Sequence, residues 1–244
     1  MITTILFDLD GTLLPMDQEL FIKTYFKALA ARFAPLGYDP QELIDGVWKG
    51  TQAMVKNTGE QTNEAVFWNT FAELFGEQIR DDIPVFEDFY RNEFQQARSV
   101  CGKNPKAKET VDRARALGYR VILATNPLFP SIATESRIRW AGLEPEDFEF
   151  YTTYENSSHC KPNPAYFQDI LTQANLRPEE CLIVGNDTSE DLAAATLGIQ
   201  AFLLTDCLIN RNFIDITQYP HGSFDTLITY LNTLHTPVQR RTTW

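Results

Sequence analysis

The chain has 244 residues, 43% of them apolar, and a formal net charge of −12. That apolar content suits a packed core and argues against disorder. The acidity excludes nucleic acid as an expected partner, because phosphate backbones are held by clustered Lys and Arg, and it disfavours a bare anion site without a metal or local donors. No run approaches the ~20 apolar residues of a membrane span, so no membrane partner is expected. Residues 1–14 carry no targeting pattern. The four cysteines, Cys101, Cys160, Cys181 and Cys207, are scattered without a C-x-x-C pair. They read as ordinary thiols of a cytoplasmic protein.

In chain order, the first element is an apolar strand over residues 2–8, "ITTILFD". It runs directly into Asp8 and Asp10, with Gly11 and Thr12 behind them. From 15 to 98 no strand pattern appears. Ile22, Tyr25, Phe26, Leu29 and Phe33 fall at helical spacing, as do Phe67, Trp68, Phe71, Leu74 and Phe75. Residues 40–56 and 84–96 also read as helices. So long a crossover predicts a helical domain inserted after the first strand, leaving a discontinuous core of 1–14 and 99–244. The core then alternates. Helix is predicted over 105–118, strand over 120–125, helix over 131–142, and a more alternating, edge-like strand over 148–153. Helix 163–175, strand 181–186, helix 189–198, strand 201–206 and helix 223–235 follow, with residues 236–244 read as a loose tail. Strands apolar on both alternations suit a parallel sheet buried on two faces. The predicted class is therefore α/β, a doubly wound parallel, Rossmann-like sheet.

Ligands of such a sheet bind beyond the carboxyl ends of its strands. Asp8, Asp10 and Gly11 follow the first strand there, and Thr125 and Asn126 the second. His159, Cys160 and Lys161 follow the third, and Asn186, Asp187 and Asp191 the fourth. Four carboxylates in one crevice resist ionising together. A divalent cation resolves this, and oxygen ligands without a His or Cys cluster favour Mg²⁺. A lysine and a hydroxyl beside the ion suit phosphoryl oxygens. One aspartate is then free to attack phosphorus.

The residues "DLDGTL", Thr125 in "LATN", Lys161 in "CKPNP" and the acids of "GNDTSED" resemble, in order, the four motifs of the haloacid dehalogenase (HAD) superfamily. The helical insert resembles that superfamily's first type of cap. The resemblance implies a Mg²⁺-dependent phosphatase acting on a small phosphorylated metabolite through an aspartyl-phosphate. It implies Asp8 as nucleophile and Mg²⁺ ligand, and Asp10 as general acid and then base, its carbonyl on the metal. It further implies Thr125 and Lys161 on the phosphoryl oxygens, beside Gly11 and Asn126 of the same motifs. Asp187 would be a metal ligand, and Asp191 a ligand or the orienter of Lys161. Asn186, between Gly185 and Asp187, departs from the Gly that many relatives carry there.

Each residue has a plainer reading. Asp8 and Asp10 could form a turn or cap, Thr125 a strand-end cap, and Lys161 a solvated loop charge. Asp187 and Asp191 could favour a helix dipole. None of these explains their joint placement on one sheet edge. His159 reads as a loop residue and Cys160 as a passive thiol, while Trp48 and Lys49 are candidates for a specificity surface. Alternatives on the same core are a sugar phosphomutase or a phosphonatase with a cap lysine (Lys23, Lys27, Lys49 or Lys56). A dehalogenase would lack Asp10. A receiver domain would lack the cap, and a silent phospho-ligand-binding protein would have lost a core residue. A monomer or homodimer is expected.

Overall fold

The computed structural model describes residues 1–234. His235 of the last predicted helix and the 236–244 tail lie outside them. Strand β1 (Thr4–Phe7) is followed by four helices, α1 (Gln18–Phe33), α2 (Pro40–Val55), α3 (Asn63–Phe75) and α4 (Ile83–Arg91). Then come α5 (Pro105–Ala116), β2 (Arg120–Leu123), α6 (Ser131–Trp140), α7 (Pro164–Gln173), β3 (Cys181–Gly185), β4 (Gln200–Leu204), β5 (His221–Gly222) and α8 (Phe224–Leu234). The sheet order is β2-β1-β3-β4-β5, with every pairing parallel.

Alternation along the strands explains the two layers. Ile5, Phe7, Leu123, Leu182 and Val184 join a cluster with residues of α5, α6 and α8. Leu6, Ile122, Ile183 and Leu203 point the other way, onto Tyr166, Phe167, Ile170 and Leu171 of α7. Both faces are therefore covered, as a parallel sheet requires. Several helix starts are written locally. Asp39, Asn104 and Asn163 accept backbone N–H groups while Pro40, Pro105 and Pro164 take the first helical position.

Three local predictions change. Residues 148–153 do not form a full strand. Glu149 and Thr152 N–H groups donate to Val121 and Leu123 carbonyls, yet only Tyr151 completes a bridge with Leu123. The segment lies along the sheet edge beside β2, and its pairing goes no further than that one bridge. Residues 189–198 form a turn and a 3₁₀ helix (Leu192–Leu197) rather than an α-helix. The 84–96 helix breaks at Asn92 into α4 and a 3₁₀ stretch, Glu93–Val100.

Among the described residues, 15–98 add no strand to the sheet. The insert leaves and re-enters at one point. Met16 bridges Cys101, and the Gly102 N–H donates to the Pro15 carbonyl at 2.7 Å. It is not a loose appendage: Phe21 packs edge-on to Phe129, and Phe94 stacks on Trp140 at 5.2 Å. No described helix is long and apolar enough to cross a membrane.

Candidate active site

The strand order reverses around β1, and the residues that follow β1, β2 and β3 meet there in a cleft of about 170 Å³. Asp8 continues β1 by one residue, its N–H donating to the Val184 carbonyl at 2.9 Å. Backbone pairing thus fixes a buried carboxylate at the strand end. The turn that follows is tight. Gly11 sits at φ +85, and a Cβ there would lie 2.4 Å from Asn186 Nδ2, so glycine is required on both counts.

Lys161 is buried in the loop before α7, and its ammonium bridges two acids. Nζ donates to Asp8 Oδ1 at 2.9 Å and to Asp191 Oδ1 at 2.7 Å. The Thr12 hydroxyl lies 2.8 Å from both Asp8 Oδ2 and Asn186 Oδ1, and its one proton can serve either. Asp191 Oδ2 accepts the Asp187 N–H at 3.0 Å. Both Asp191 oxygens are thereby engaged, which favours an orienting role over direct metal ligation. Gly185 makes room for it, since a Cβ there would fall 2.0 Å from Asp191 Oδ2. Asp187 Oδ1 accepts the N–H groups of Ser189 and Glu190, and Oδ2 accepts none among the described residues.

On the β2 side, the Thr125 carbonyl accepts from Thr152 Oγ1 at 2.6 Å and Tyr166 Oη at 2.8 Å. The backbone is held, but the Thr125 hydroxyl has no partner among the described residues. Asp10 Oδ1 and Asn126 Oδ1 are likewise buried and unpartnered among them. Buried polar atoms are normally satisfied. Three orphans from residues lining one cleft therefore mark it as a place for a polar ligand.

Two residues that sequence reasoning missed complete the site. Arg137, fully buried on α6, donates to Asp10 Oδ2, and its guanidinium lies 4.5 Å from the centroid of the Phe129 ring. It anchors one oxygen of Asp10 and leaves Oδ1 to the cleft. Its position on the helix face of Ala133, Thr134 and Ile138 was the available signal. Glu190, inside "GNDTSED", lines the cleft beside Asp187.

Of the other candidates, His159 pairs with Asp169 at 2.7 Å and does not line the cleft. Burial pushes the Cys160 thiol up to about 12, as suits a passive group. Trp48 lines a second cavity between the helical insert and the loop after β2, whereas Lys49 lines neither.

Charge is unbalanced at this cleft. Asp8, Asp10, Asp187, Glu190 and Asp191 line it, and among the described residues no Lys or Arg does. Burial would strip the proton from Lys161, but Asp191 and Asp8 outweigh it and hold the ammonium well above its ordinary range. Burial pushes Asp8 up to about 6 against the pull of Lys161, with Asp191 adding to the rise. Burial likewise pushes Glu190 up to about 8, against Lys161 and with Asp191.

A carboxyl with a higher pKa folded than unfolded binds protons more tightly in the native state. Its ionisation opposes folding progressively as pH rises from the unfolded value through the folded one. For Asp8 and Glu190 that window runs from about 4 to about 8. The metal-free protein is therefore expected to lose several degrees of melting temperature between pH 5 and 8. Mg²⁺ should restore more at pH 8 than at pH 5. Thermal melts with and without Mg²⁺ check this; a Mg²⁺ shift equal at both pH values contradicts it.

A doubly wound sheet with an acid-lined cleft at its switch point marks an α/β enzyme. A family model for haloacid dehalogenase-like hydrolases matches residues 2–197. The chain belongs to that family and is a hydrolase. It is similar to Pyrophosphatase PpaX of Bacillus cereus (strain ATCC 10987 / NRS 248), 22% identical over 214 residues that cover 88% of each protein. Among solved structures it resembles the 2-haloacid dehalogenase of Pseudomonas syringae pv. Tomato DC3000, with TM-score 0.61, 19% identity, and coverage of 96% of this chain and 100% of that one. It also resembles a HAD family enzyme of Bacteroides thetaiotaomicron in complex with magnesium and inorganic phosphate, with TM-score 0.53, 21% identity, and coverage of 87% and 98%. Likeness at these identities speaks to the fold.

Proposed function

We propose that this hydrolase is a Mg²⁺-dependent phosphatase that cleaves a small phosphorylated metabolite through a phosphoryl group carried on Asp8. The observation that carries the reading is the Asp8–Lys161–Asp191 bridge at the floor of a cleft with three unpartnered polar atoms. The donor set fits the metal. Among the described residues no group of three His, Cys, Asp or Glu closes on one point. Mg²⁺ commonly binds one or two carboxylates and completes its shell with waters and substrate phosphate. Asp8, Asp187 and the Asp10 carbonyl would hold it, and when bound it supplies the positive charge that offsets phosphate against this acidic cleft. The magnesium and phosphate of the Bacteroides structure support the same reading.

The chain's own groups divide the work. The Asp8 carboxylate forms a bond to phosphorus as the ester P–O bond breaks. The leaving oxygen takes its proton from Asp10, whose Oδ1 faces the cleft while Arg137 holds Oδ2. Asp10, now a carboxylate, removes a proton from water, whose oxygen displaces Asp8 from phosphorus. Lys161 has three N–H bonds and spends two on Asp8 and Asp191. The third and the free Thr125 hydroxyl are available to phosphoryl oxygens. In this reading residues 15–98 form a cap domain over a core of 1–14 and 99–244, and the enzyme is cytoplasmic.

Displacement of halide from carbon would need no proton donor, so the held Asp10 disfavours a dehalogenase. A phosphonatase is disfavoured because Lys23, Lys27, Lys49 and Lys56 neither line the cleft nor, unlike Lys161, bond to residues that do. A panel of phosphorylated metabolites, assayed for released phosphate and isomerised product, tests the proposal. Phosphate release that stops on chelation and returns with Mg²⁺ is expected. Equal turnover after exhaustive chelation contradicts it, and an isomeric phosphate ester as product would make the enzyme a mutase.

A further inference from the structure

A second cavity, of about 120 Å³, lies between α1, α2, α3, α4 and the loop after β2. Ile22, Leu128 and Phe129 line both it and the catalytic cleft, so the two spaces share one wall. Aromatic rings make up much of the rest. Several of their polar ends pair with one another: Tyr25 Oη lies 3.0 Å from Tyr90 Oη, and Trp68 Nε1 donates to Tyr154 Oη at 3.4 Å. What faces the void is mainly ring face and aliphatic carbon. Among the described residues no Lys or Arg lines it, and the one charged lining residue is the acid Glu87. Trp48 stands at the rim, 41% exposed, with its ring 5.4 Å from that of Phe26.

Size and chemistry narrow the occupant. An apolar cavity of roughly 150 Å³ stays dry and accepts a benzene ring. A void of about 120 Å³ is of that order. A second phosphate or a carboxylate would lose its water shell there, meet Glu87 and find no cation.

We propose that the cap cavity is the leaving-group subsite, and that the substrate is a phosphate monoester whose alcohol carries one uncharged aromatic ring. This rests on the phosphatase reading. The phosphoryl group sits over Asp8, and the ring passes the Ile22–Leu128–Phe129 wall into the cap. The subsite sets this chain apart from enzymes whose leaving group is itself an anion, such as the phosphate expelled from pyrophosphate or the hydroxy acid expelled from its phosphate ester.

Benzyl and ethyl phosphate test it, because their alcohols leave with similar ease and differ by the ring. With Mg²⁺, kcat/KM for benzyl phosphate should exceed that for ethyl phosphate by about 10- to 100-fold, the value of burying one ring. Pyrophosphate and 2-phosphoglycolate should fall below both. Thr51→Phe places a ring in the cavity and should cut the benzyl advantage to about threefold or less. A fluorescence titration needs no variant: benzyl alcohol should shift the emission of Trp48 and Trp68, and ethanol should not. Equal rates for the two esters, a preference for pyrophosphate, or an advantage untouched by Thr51→Phe would overturn the subsite. Acetyl phosphate, which carries no ring, separates the two claims. If it too is inert, the phosphatase reading falls, and the benzyl alcohol titration still decides whether the cavity takes a ring.

Discussion

Asp8→Asn is expected to abolish turnover, by at least roughly 10⁴-fold, while the protein stays folded. The amide keeps the carboxylate's shape and can still accept from Thr12, which lies 2.8 Å from Asp8 Oδ2. It cannot act as the nucleophile. Stability should change little, because two effects oppose each other. Lys161 loses one of its two acid partners. Against that, burial makes the ionised Asp8 unfavourable, as its rise to about 6 shows, and the amide removes that cost. Melting temperature at pH 8 should stay within a few degrees of the parent. Turnover above a hundredth of the parent rate, with the parent's pH profile, would mean that Asp8 is not the nucleophile.

Lys161→Ala should damage both activity and fold. It removes the ammonium lying 2.9 Å from Asp8 and 2.7 Å from Asp191. The two buried carboxylates are then left without their shared cation. Breaking a buried pair this way costs about 3–5 kcal/mol. In a chain of this size that lowers the melting temperature by roughly 6–20 °C. Losing a donor to the phosphoryl group should slow turnover by about 10²–10³-fold. The sign of the pH effect separates charge from packing. Without Lys161 the pull that lowers the Asp8 pKa is gone, so Asp8 takes up its proton more readily and the variant's deficit should shrink as pH falls from 8 to 5. Lys161→Met, which refills the volume, should show the same trend. A deficit independent of pH and cured by Met would mean that the side chain matters only as filler.

Much of the site was legible because its parts are short and local. Apolar runs that stop at Asp8, Thr125 and Asp187 mark strand ends, and strand ends of a parallel sheet share one edge. Arg137 was hidden for the opposite reason. Its partner Asp10 lies 127 positions away, so nothing local to the 131–142 helix pointed to the pairing. Asn186 stood out in the sequence only as an exception. In the fold its side chain meets the Thr12 hydroxyl and donates to the Cys207 carbonyl at 2.8 Å, tying the β1 and β3 loops to the segment after β4. Strand β5 is two residues long, too short to show a period. The apolar pattern of the insert announced buried helix faces. It could not announce that the rings would leave a space between them, since a void is a property of packing.

The most direct test of the account is the intact mass of Asp10→Asn incubated with acetyl phosphate and Mg²⁺. An acyl phosphate needs little protonation to release its leaving group, so the variant's Asp8 can still attack. Loss of the base slows hydrolysis of the intermediate by about 10²–10⁴-fold. The account predicts a single phosphoryl adduct that maps to Asp8 and is absent from Asp8→Asn. An adduct on Asp8→Asn, or one mapped to another side chain, would contradict it.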